Sequence, residues 1–143
     1  MTNIRVSMFA CEDIRWEANG TPMILGLMSP IFHPVEYPLT MERMHVVTII
    51  RISKEISEIT AKLTMKWDRK SNIVDEEKSR SFSVEYSRNE DDNDLDFDWS
   101  VFSNLALDNL EFDEGDILEF KFEAGDCSDF IKIKAGSLME IES

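Results

Sequence analysis

The run Glu90-Asp91-Asp92-Asn93-Asp94-Leu95-Asp96-Phe97-Asp98 carries the densest set of potential ligand oxygens in the chain. Hard divalent cations take six or more oxygens converging on one point. Asp91, Asp92, Asp94 and Asp96 are therefore the candidate metal ligands, with calcium as the ion. Two features count against that chemistry. The glycine that turns a calcium loop is missing, and Ser103 stands where its closing bidentate glutamate belongs. Alternation with Leu95, Phe97 and Trp99 also lines Asp94, Asp96 and Asp98 along one strand face at about 6.6 Å intervals. Such a row lines a surface and does not wrap an ion.

A row of carboxylates suits a different task, the binding of a basic protein. The candidate partner-binding residues are Asp94, Asp96, Asp98, Glu111, Asp113, Glu114, Asp116 and Glu119. Nucleic-acid-binding proteins build basic grooves to meet regularly spaced phosphates, and an acidic sheet can occupy such a groove. The same residues also have a plainer role: acidic side chains keep a small β-protein soluble and guard its strand edges.

No nucleophilic machinery stands out. Cys11 or Cys127 with His45 makes a conceivable Cys–His pair, but a core thiol and a strand-end imidazole is the simpler reading. His33 and His45 fall in different segments, there is no Cys-x-x-Cys, and no zinc ligand set clusters. The glycines (20, 26, 115, 125 and 136) build no phosphate loop. The chain reads as a non-enzyme without a cofactor.

Charge divides unevenly. Residues 1–70 carry nine Lys/Arg against eight Asp/Glu, whereas residues 71–143 carry six against 21, giving the net −14. This acidic half repels nucleic acid and anionic lipid and attracts basic proteins. The group Lys62, Lys66, Arg69 and Lys70 is too small and too poor in exposed aromatics for nucleic-acid binding. No signal peptide and no apolar run of membrane-spanning length is visible, so a cytoplasmic protein is expected. Its two cysteines are then reduced, at least one of them buried.

The elements that position these residues follow a period of two. Strands are expected at 3–11, then around a hairpin turn at Ala18-Asn19-Gly20-Thr21, and centrally at 45–53. The segment with Pro30, Pro34 and Pro38 holds at most a short edge strand or one helical turn. Ile59, Ala61, Leu63, Met65 and Trp67 share one face of the next strand, and Phe82, Val84 and Tyr86 one face of another. A strand carrying Leu95, Phe97, Trp99 and Val101 follows, and 104–109 reads as a helical turn or crossover. Leu118, Phe120 and Phe122 mark a further strand, 124–129 a turn, and 130–134 with 138–141 the close of the chain. Core packing is expected of Trp67 and Trp99, and a partly exposed anchor of Trp16. The sum is one all-β domain over 1–143, a two-sheet antiparallel β-sandwich of eight or nine strands, immunoglobulin-like or jelly-roll-like.

The opening Ala10-Cys11-Glu12-Asp13-Ile14-Arg15 with Asn19-Gly20 and Ile24-Leu25-Gly26-Leu27, and the closing Leu110-Glu111-Phe112-Asp113-Glu114-Gly115-Asp116-Ile117-Leu118-Glu119-Phe120, resemble a family of small uncharacterised bacterial and phage proteins. The resemblance implies a compact β-sandwich and transfers no catalytic residue. Its phage and prophage contexts imply an interaction protein acting on host machinery. The expected function is thus a non-enzymatic acidic protein that binds, and inhibits, a basic host protein. A calcium-binding module and a self-assembling or phage-particle protein are the alternatives, with a homodimer open.

Overall fold

The computed structural model describes residues 3–69, 78–88 and 97–140. The described chain forms nine strands: β1 (Ile4–Trp16), β2 (Pro22–Leu27), β3 (Ile31–Phe32), β4 (Leu39–Ile52), β5 (Glu58–Asp68), β6 (Lys78–Ser87), β7 (Trp99–Phe112), β8 (Ile117–Ala124) and β9 (Cys127–Ala135). They make two packed sheets, β2-β1-β4-β7 and β3-β9-β8-β5-β6. Every pairing is antiparallel except β3 with β9, which is parallel and corrects the expectation of a purely antiparallel sandwich.

The core lies where the alternating apolar faces meet. Met8 and Ala10 of β1 and Val46, Ile50 and Ile52 of β4 face Ile59 and Ala61 of β5, Leu118, Phe120 and Phe122 of β8, and Ile133 of β9. Trp67 and Trp99 pack half-buried against this core, and Trp99 Nε1 donates to the Ile56 carbonyl at 2.8 Å. β4 is central in its sheet, as its two-sided apolarity predicts. Gly20, at φ 85°, supplies the positive φ that the Asn19-Gly20 turn needs between β1 and β2.

The expected helical turn at 104–109 is instead the middle of one strand. β7 runs unbroken from Trp99 to Phe112. The irregularity is a change of phase. Leu105 and Leu107 pack inward, and so do Leu110 and Phe112, so the inward parity switches between 107 and 110. β4 switches with it, from Met41 to Met44, and the β4–β7 register is unshifted on both sides. Asn109, at φ 54°, sits at the switch, where asparagine tolerates the left-handed region. Three other boundaries differ, the first being that of β4, which begins at Leu39 and not at residue 45. The β8–β9 turn shrinks to Gly125-Asp126, with Ala124 opposite Cys127, and the stretch after Ala135 forms no strand up to residue 140. That stretch is tied instead to the proline-rich segment. Met139 N donates to the Pro34 carbonyl at 2.8 Å, and the Tyr37 hydroxyl donates to the Gly136 carbonyl.

β1 bends. Trp16 meets Phe102 edge-on with ring centroids 5.4 Å apart. Phe102 pairs with Ile49, which pairs with Ser7. A straight strand would carry Trp16 roughly 30 Å beyond Ser7. The β1–β2 hairpin therefore leans back over the outer face of the four-stranded sheet. This explains why Cys11 and Val47, on that outward side, have no exposure at all.

One flank of the sandwich is closed. The N–H of Met8 donates to Asp129 Oδ2 at 3.0 Å, joining the first long strand to the last. A methyl group added at Gly125 would lie 2.9 Å from Ile4 Cδ1, so the β8–β9 turn also lies against β1.

Candidate functional site

The acidic end of the molecule is built around the β7–β8 turn. Phe112 is fully buried, held edge-on by Phe32 at 5.1 Å and tilted against Trp67 at 4.9 Å. That anchor fixes where the chain leaves β7. The turn then closes by its own groups. Asp116 N donates to the Asp113 carbonyl at 3.1 Å, and Asp113 N donates to Asp116 Oδ2 at 2.8 Å. Gly115 takes φ 92° and donates its N–H to the Ala135 carbonyl. Asp116 is 1% exposed. Its carboxylate builds the turn and is not available to a partner, which corrects its place among the partner-binding residues.

Glu111 and Glu114 stand exposed around this scaffold, with Asp113 half-buried between them. Asp68, at the end of β5 opposite Ile117, adds a fourth carboxylate. The negative field there is felt by Tyr37. Its phenol is pushed up from its ordinary value, first by burial and then by the charges of Glu114 and Asp116. Among the described residues Arg69 places a cation here, with its guanidinium 4.4 Å above the Trp67 ring.

The remaining acidic positions do not join this group. Asp98 sits at the opposite end of β7 from Asp113, fourteen strand residues away, or roughly 45 Å. Its Oδ1 accepts the Lys54 N–H at 3.0 Å. Glu119 lies on the outer face of the five-stranded sheet with Lys66 of β5 on one side and Lys132 of β9 on the other. Its neighbour Glu123 is paired with Lys121 at 2.9 Å, and that bond holds its carboxyl below the usual range. The face alternates in charge, so the expected continuous acidic row through Glu119 is not formed. Asp94, Asp96, Asp91 and Asp92 lie outside the described residues. Among the described residues no group of three or more His, Cys, Asp and Glu is placed to hold a metal ion.

Sequence reasoning missed Asp68 and Tyr37. Tyr37 gave no signal, being a half-buried residue of the irregular proline-rich segment. Asp68 ends an alternating strand, and the pairing of β5 with β8 was the missing information.

Of the Cys–His pair, Cys11 is a core thiol as expected, whereas His45 stands buried in the middle of β4 and not at a strand end. Cys11 and His45 are cross-strand partners, but His45 Nδ1 bonds Asn104 Oδ1 at 3.0 Å and its buried Nε2 has no hydrogen-bond partner. Burial, the largest influence, raises the Cys11 thiol above its ordinary 9.0, opposite to an activated nucleophile. Both cysteines are free. They belong to different sheets: Cys11 pairs with Leu27 and His45 in the four-stranded sheet, and Cys127 with Ala124 in the five-stranded one. We expect iodoacetamide at pH 8 to modify Cys127 in the native protein and Cys11 only after denaturation. Rapid native labelling of Cys11, read by peptide mass, would contradict the burial argument. Both Cys11 and Tyr37 titrate above their unfolded values. Their contribution to stability is complete below the unfolded pKa and is lost as pH rises through the folded one. Stability in urea should therefore fall from about pH 9 upward.

Comparison with known protein families found no family model that matches the chain, and comparison with curated proteins found no match.

Proposed function

We propose that this chain is a non-enzymatic interaction protein that binds a basic protein through the acidic end of its sandwich. The observation that carries the reading is the gathering of Glu111, Asp113 and Glu114, with Asp68, around a turn whose backbone Asp116 fixes. A preorganised turn loses little conformational freedom when it binds. The net charge of −14 steers a cationic partner toward the molecule and repels nucleic acid. The likeness to small bacterial and phage proteins supports a cytoplasmic host protein with a nucleic-acid-binding groove as the partner. The nine strands in two sheets, with the chain passing from β4 to β5 and back from β6 to β7, support an immunoglobulin-like or jelly-roll-like assignment.

The test uses the full chain as bait at low salt. A basic partner should be retained at 50 mM salt and released at 500 mM, with association slowing about tenfold or more as screening rises. The variant Glu111→Gln/Glu114→Gln/Asp68→Asn should retain little of it. No basic partner at low salt, or equal retention by the variant, removes the reading.

A second reading, self-assembly, has its own observation. Phe82 and Val84 of β6 share the inward face with Tyr86 but are 43% and 44% exposed. Among the described residues β6 pairs with β5 alone, which leaves its other edge for a strand from a second copy. Two copies at −14 repel each other, so this association strengthens with salt, the reverse of the heterologous complex. Sedimentation at two salt concentrations distinguishes the two, and Val84→Glu should abolish any dimer.

A further inference from the structure

Arg5 and Arg51 are Cα partners across β1 and β4. Residues directly opposed in an antiparallel pair project from the same face with Cβ atoms about 5 Å apart, and like charges in that relation destabilise a sheet. Both side chains are exposed, and among the described residues neither is ion-paired. The two guanidinium groups front a cleft of about 490 Å³ whose wall includes Asn3, Ser53, Glu55 and Asp98. The two carboxylates there each accept a hydrogen bond from a neutral donor and keep their negative charge. Asp98 accepts the Lys54 N–H, and Glu55 accepts the Ser53 hydroxyl. Ser100 of β7 stands opposite Arg51 and adds a hydroxyl on the same face.

We propose that Arg5 and Arg51 form a binding site for the dianionic phosphoryl group of a small phosphate monoester. Two side-by-side guanidinium forks carry two positive charges, and one carboxylate, though its oxygens can accept from both forks, neutralises only one of them. A phosphate monoester offers three oxygens and close to two charges, which matches both forks and cancels the repulsion between them. The cleft is in the size range of small-molecule sites. A polyanion is excluded by the field of the rest of the molecule, so the ligand is small and carries one phosphoryl group. The site lies with Asp98 at the opposite end of β7 from the acidic turn and is independent of it.

The probes are inorganic phosphate and glycerol phosphate at pH 7.5, with chloride at matched ionic strength and succinate as controls. The readouts are arginine side-chain NMR shifts and the melting temperature of the full chain. The expected result is saturable binding of both phosphates, weakened about tenfold or more in Arg5→Ser and in Arg51→Ser, from the loss of a charge-assisted contact. Arg51→Gln serves as a second variant should either serine variant fail to melt cooperatively. A wild-type response no larger than that to chloride, an equal response to succinate, or binding unchanged in the variants overturns the proposal.

Discussion

Phe112→Ala should lower the stability of the domain by about 4 kcal/mol, near the upper end of large-to-small core substitutions. Phe112 has no exposure, and two aromatic rings, Phe32 and Trp67, lean on it. Truncation removes the transfer free energy of the ring and leaves a cavity that its neighbours cannot fill. Phe32 belongs to a two-residue strand paired with β9, and Trp67 is pinned beneath Arg69. Neither can collapse far without breaking its own contacts. Domains of this size hold only about 5–15 kcal/mol in total, so a urea midpoint should drop steeply. Phe112→Leu separates volume from shape and should cost under about 2 kcal/mol. An alanine variant as stable as wild type would mean that the acidic turn is not anchored as described.

Asp116→Ala should cost about 2–3 kcal/mol, because it removes a carboxylate that accepts the Asp113 N–H from a nearly fully buried position. Asp116→Asn keeps an acceptor oxygen in the same place and should recover most of the loss. The pair of variants distinguishes a structural carboxylate from a partner-binding one. If Asp116 serves the turn, alanine moves the urea midpoint and asparagine does not. If it served a partner through its charge, asparagine would weaken binding while leaving the midpoint alone.

The strands were legible because alternation reports burial residue by residue. β5 and β8 read directly, since a half-buried strand writes its inward face at every second position. β7 was misread for the same reason. Its inward parity changes around Asn109, so a rule built on parity sees a break where the backbone continues. The short β3 was allowed for but not located, because two residues carry no period. Charge was less legible than strand. Counting by position along the chain placed Glu119 in an acidic half, but sheet pairing set it between Lys66 and Lys132 from other segments. Asp116 was misassigned because an aspartate after a turn glycine reads the same whether its carboxylate faces solvent or caps the turn behind it. Only strand order and register convert a linear charge count into a surface.

The seam between Met8 and Asp129 has a bearing on how the chain is made. During synthesis β1, β2 and β4 can pair as soon as they leave the ribosome. Their inward residues Met8, Ala10, Val46 and Ile50 then wait for Leu118, Phe120 and Phe122 to arrive. Roughly 70 residues separate the two sets, and at about 5–20 residues per second the delay is about 4–14 s. Throughout that interval a greasy half-sandwich is open to other nascent chains. The longer that interval, the more of the newborn chain is exposed to association through this face, so the soluble yield should fall as elongation between β4 and β8 is slowed.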